Sequence, residues 1–143
     1  IQITNSGYNK LYLSAIRDNI NFYHICFCEY ENNGYIVKYI NGYLSENKFN
    51  LKTSSYLSEP STCMYPELIK NNSKLLLSWV NYNKLFTCTS TNDGLTWSKP
   101  NIDEYSLEDN FIRSTFYSNY KDDLEYNISH VFSNLNDVGI LGL

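Results

Sequence analysis

The chain has only two arginines, Arg17 and Arg113, and nowhere do lysine and arginine cluster. Nucleic-acid binding draws on grouped cations that displace counterions from phosphate. A formal net charge of −4 and a pI near 5.1 point the other way, so nucleic acid is not an expected partner. Long apolar runs are missing as well. Stretches such as Phe22–Phe27 and Lys74–Val80 fall far short of the roughly 20 apolar residues of a membrane-spanning helix, so no membrane insertion is expected. No window holds a helical apolar period beyond two turns. Cysteine is sparse and badly spaced for chemistry. Cys26, Cys28, Cys63 and Cys88 form no CxxC pair and no Cys/His ligand spacing. Cys26 and Cys28, two apart on a strand-like run, face one side and are poorly placed to bridge each other. All four are expected to be buried free thiols, with no metal and no cofactor. The acidic groups Asp103-Glu104, Glu108-Asp109 and Asp122-Asp123-Glu125 lack EF-hand spacing and read as solvated loops.

What is present is strand. LYLSAIR, NFYHICFCEY, GYIVKYI, PELI, KLLLSWV, KLFTCTS, IRSTFYS, NISHVFS and VGILGL are short, rich in β-branched and aromatic residues, and bounded by Asn, Asp, Gly and Ser. The expected class is all-β. A chain of 143 residues, 43% hydrophobic, suffices for one domain and not for two. An internal repeat runs through it: the segments beginning at Phe22, Leu75 and Ile128 recur every 53 residues, each with an apolar strand before and after it. Three units, about 8–55, 56–108 and 109–143, fit four-stranded antiparallel propeller blades. Ile1-Gln2-Ile3-Thr4 reads as a further strand, so residues 1–7 are available to close a ring. His24 and His130 share one repeat position with Leu77 between them, which suggests packing for both.

Ser90-Thr91-Asn92-Asp93-Gly94-Leu95-Thr96-Trp97 resembles the Asp-box, S-x-D-x-G-x-T-W, the repeated hairpin of sialidases and related six-bladed propellers. Ser90, Gly94, Thr96 and Trp97 match, and Asn92 stands where the family usually has Asp. Tyr65-Pro66-Glu67-Leu68-Ile69 and Lys74–Trp79 are similar to the two inner strands of such a blade. The residues themselves predict a structural role: Ser90 and Asn92 bond turn amides, Gly94 supplies a positive φ, and Trp97 packs a hairpin over 89–97. The resemblance implies half of a six-bladed ring, completed by a second copy or by further blades of a longer chain.

Sialidases clamp a substrate carboxylate with three arginines and use a Tyr/Glu nucleophile pair with an Asp acid/base. Two arginines cannot form that clamp, and Met64 falls near the place of the first family arginine. No catalytic residue is assigned. Tyr65, Glu67 and Arg113 open inner strands and are the candidate ligand-binding residues. The 16% aromatic content suits stacking on sugar rings or packing across strands. The expectation is a non-catalytic glycan-binding or adhesive module whose partner is a cell-surface glycan. Asn-, Lys-, Ile- and Tyr-rich usage suggests a low-GC bacterium or its phage, hence a cell surface or a virion tail appendage. A fragment of a sialidase-like glycoside hydrolase and a purely structural assembly unit are the alternatives.

Overall fold

The structure is a computed structural model that describes residues 1–18, 21–108, 111–117, 119, 128, 130–134 and 140–141. It is all-β, with three antiparallel sheets. The first joins β1 (Lys10–Asp18), β2 (Phe22–Glu31), β3 (Gly34–Ser45) and β4 (Lys48–Tyr56) in order. The second joins β5 (Met64–Asn71), β6 (Lys74–Asn81), β7 (Lys84–Ser90) and the two-residue β8 (Asn101–Ile102), followed by a single helical turn, α1 (Tyr105–Glu108). Among the described residues the third holds β9 (Phe111–Thr115), β10 (His130–Asn134) and β11 (Ile140–Leu141), with β10 central. No helix among the described residues is long and apolar enough to cross a membrane.

Asparagine makes the turns. Asn32-Asn33, Glu46-Asn47 and Tyr82-Asn83 all have positive φ at both residues, the conformation of the tight turns whose twist matches that of the flanking strands. β4 was not among the strands expected from the sequence. It is an edge strand, exposed or half-buried along its whole length, so its Lys, Asn, Ser and Thr content hides it from an apolar search.

Two expectations need correction. Ile1–Thr4 is not a strand; residues 1–7 pair with no ladder. Gln2 instead donates to the Thr4 carbonyl, and the Ser6 hydroxyl donates to Glu29 Oε2 at 2.6 Å, tying the segment down by side chains. The repeat is also not uniform. Both first strands carry a β-bulge, and on one side of it Leu11 pairs with Cys28 while Met64 pairs with Val80. On the other side Ser14 pairs with Cys26 and Glu67 with Ser78. The first strands are therefore related by 53 residues and the second strands by 52. Leu76, rather than Leu77, corresponds to His24.

That register fixes which faces meet. Cys26, Cys28, Val37, Tyr39 and Ile16 of the first sheet bury against Leu68, Leu75, Leu77, Trp79 and Cys88 of the second. Met64, Tyr65, Val80 and Leu85 of the second sheet then pack on Phe111 and Phe132 of the third. Cys26 corresponds to Ser78 and Cys28 to Val80, so each sheet offers the same face to the one that follows it. The packing is head to tail. His24 looks forward to the second sheet, whereas His130 looks back at Glu67, so the two histidines are not equivalent. All four cysteines are free and buried, and all belong to the core between the first two sheets.

Candidate functional site

The bulges position the site. A bulge adds a residue to one strand and bends it; here Tyr12 has φ 58° and Tyr65 has φ 52°. Left-handed backbone costs an ordinary residue about 1–2 kcal/mol, yet it recurs at the same place in both sheets. The two rings meet with centroids 4.4 Å apart, tilted by 54°. Tyr12 is 37% exposed and Tyr65 half-buried.

Two residues beyond Tyr65, Glu67 is buried and faces the third sheet, where Arg113 Nε donates to its Oε1 at 2.9 Å and the Arg113 terminal nitrogen reaches the same oxygen. The guanidinium carbon lies 5.4 Å from the centre of the Tyr65 ring, a cation–π contact. His130 Nδ1 approaches Glu67 at 3.6 Å. The structure thus brings Tyr65, Glu67 and Arg113 together and adds Tyr12 and His130. Beside them, Met64, Val80, Phe111 and Phe132 wall a cleft of about 370 Å³. Arg17 is not part of it: its pairing with Tyr23 sets it on the other face of β1. Lost solvation, and then the neighbouring Tyr65 phenol, push the Tyr12 hydroxyl above its ordinary pKa, so it stays protonated at neutral pH.

The 90–97 segment serves a second cluster. Ser90 Oγ accepts the Gly94 amide at 2.9 Å and Asn92 Oδ1 accepts the Thr96 amide at 2.9 Å, while Gly94 has φ +78°. The loop is closed by Ser98 N donating to the Thr89 carbonyl rather than by a continuing ladder. Trp97 is half-buried, because it lies edge-on to the Tyr39 ring at 4.8 Å at the margin of the core.

Beneath this loop is a chain of buried polar groups. Asn41 Nδ2 donates to Tyr39 Oη at 3.0 Å and to the Asp93 carbonyl at 2.9 Å; Tyr39 Oη bonds His24 Nδ1 at 2.6 Å; His24 Nε2 faces Asp18 Oδ2 at 3.4 Å. Burial lowers the His24 pKa, so the ring is neutral. A neutral ring with Nε2–H directed at Asp18 accepts the Tyr39 proton at Nδ1. Burial works against the Asp18 carboxylate, but Lys70 and His24 outweigh it and hold its pKa below the ordinary value. The ligand atoms of Asp18, His24 and Asp93 lie within 4.8 Å of one another, close enough to hold a cation. The Lys70 ammonium already bonds Asp18 and stands 3.4 Å from Asp93, supplying the positive charge from within the chain.

A family-model scan, a search of curated proteins and a search of solved structures all return no match.

Proposed function

We propose that the chain is a non-catalytic glycan-binding module whose three sheets are blades of a sialidase-like propeller, with the ligand held where the first strands converge. One observation carries this reading: left-handed tyrosines at equivalent bulges, Tyr12 and Tyr65, beside the buried Glu67–Arg113 pair and an open cleft. Backbone strain repeated at one place is a pointer to function, and aromatic rings next to directional polar groups suit a hydroxylated ring. Head-to-tail sheets with neighbouring first strands support the blade reading.

The same geometry argues against hydrolysis. The Glu67 oxygen that Arg113 engages is not free to move a proton, and Arg113 is the only arginine of the site. The natural setting of such a module is a cell surface or a virion. The test is titration of the folded chain against a broad glycan array, followed by Tyr65→Ala and Tyr12→Ala. Binding that falls at least about tenfold in both variants, which is about 1.4 kcal/mol, supports the site. Absence of any glycan ligand refutes this function, and turnover of a chromogenic sialoside moves the chain to the hydrolase class.

A further inference from the structure

The aromatic contacts of the candidate site extend beyond it. The bulges of β1 and β5 lie beside the ends of β2 and β6, which turn at Asn32-Asn33 and Tyr82-Asn83. The topology therefore gathers both bulges and both turns at one end of the first two sheets. Tyr30 and Tyr35 face each other across the β2–β3 ladder and meet edge to face, with ring centres 5.3 Å apart. Tyr35 is near enough to Tyr12 to help raise its pKa. Tyr12 meets Tyr65 at 4.4 Å, and Tyr65 meets the Arg113 guanidinium at 5.4 Å. Asn83 lines the cleft, and its neighbour Tyr82 is 70% exposed.

Cross-strand packing accounts for Tyr30 against Tyr35. It does not account for a row that runs from the first sheet to the third and keeps its rings in reach of water, with Tyr30 40% and Tyr12 37% exposed. Tyrosine offers a wide amphipathic contact with few torsions to freeze, and rings that brace one another are in place before a ligand arrives. Charge narrows the ligand. Arg113 is the one charged residue lining the cleft, and two of its nitrogens already engage Glu67 Oε1. An acidic sugar would have to compete with a buried carboxylate for that guanidinium.

We propose, on the basis of the glycan reading above, that the row from Tyr30 to Arg113 binds several consecutive rings of an uncharged oligosaccharide rather than a single terminal sugar. Each further ring of such a ligand then gains a further aromatic contact.

The test is calorimetric titration of the full chain with cello-, N-acetylchito- and malto-oligosaccharides, each from disaccharide to hexasaccharide, with oligogalacturonides as the charged series. At least one uncharged series is expected to tighten with length by about tenfold or more, the scale of one aromatic contact. Tyr30→Ala should remove most of that gain, and Tyr30→Phe, which keeps the ring, should retain it. Affinity that rises with length in no uncharged series, or only in the charged one, overturns the inference, as does a gain that survives Tyr30→Ala. The glycan reading itself stands in each of those cases if the array yields a ligand that needs Tyr12 and Tyr65, and it falls only when the array yields none. Should Tyr30→Ala fail to fold, the length series on the unaltered chain decides the question.

Discussion

Gly94 of the second sheet's loop rests directly on the Tyr39 hydroxyl of the first sheet; a Cβ at residue 94 would lie 2.0 Å from Tyr39 Oη. With φ +78° the position excludes a side chain twice over, by backbone and by space. Gly94→Ala is expected to lose about 1–2 kcal/mol to the left-handed backbone and about 1–3 kcal/mol to overpacking. Urea unfolding measures the sum. In the Tyr39→Leu background the alanine should cost less, because the hydroxyl and the ring carbons it strikes, at 2.0 to 2.6 Å, are gone; strict additivity would show that the contact does not matter.

The two tryptophans should differ. Trp79 is 1% exposed in the intersheet core, and Trp79→Ala is expected to cost about 3–5 kcal/mol. Trp97 is half-buried at the edge, so Trp97→Ala should cost about 1–3 kcal/mol, within the range for burying one large apolar side chain. Equal losses would place Trp97 deeper than its exposure indicates.

Acid should weaken the contact between the first two sheets through His24. Its folded pKa is lowered by burial from the ordinary 6.5, so the unfolded chain takes up a proton that the folded chain resists. Its contribution is fully present above pH 6.5 and is lost as pH falls from there toward the folded value. His24→Gln should flatten the slope of unfolding free energy between pH 7 and 5. Asp18 acts at lower pH: its lowered folded pKa gives stability that is present above 3.8 and lost below it.

Arg113 neutralises a buried carboxylate. Arg113→Met deprives the buried Glu67 carboxyl of its guanidinium, a change expected to cost up to about 3–5 kcal/mol for a buried pair and less here, since Arg113 is 31% exposed. Adding Glu67→Gln should recover much of the loss. A double variant no better than Arg113→Met alone would show that the pair contributes nothing.

Strand positions were legible because β2, β6 and β7 are apolar and bounded by Asn and Gly, and the Tyr65, Glu67, Arg113 set could be picked from inner-strand openings. Tyr12 was not. Its place depends on a bulge, and a bulge is visible in the ladder rather than in composition, although the interval from Tyr12 to Tyr65 equals the repeat. The change from 53 to 52 lies in the connections between first and second strands, where Asp18 pairs with Phe22 but Asn71 with Lys74, one residue closer in sequence; this is why Leu77 looked equivalent to His24. The chain from Asn41 to Asp18 was hidden for another reason: its members come from β1, β2, β3 and a loop, with Lys70 of β5 beside Asp18, and only folding brings them within hydrogen-bond reach.

The common home of the four thiols gives the protein a built-in chemical reporter. Burial pushes Cys28 and Cys88 up to about 12, and Cys26 and Cys63 are raised by the same cause, so none offers a thiolate to an alkylating reagent while the first two sheets stay together. Because all four line one intersheet core, a single parting of those sheets uncovers them together. Under native conditions the mass spectrum after alkylation should then show chains bearing no tags or four, with few between, and the rate at which the untagged peak decays counts openings of that one seam, whatever the third sheet is doing.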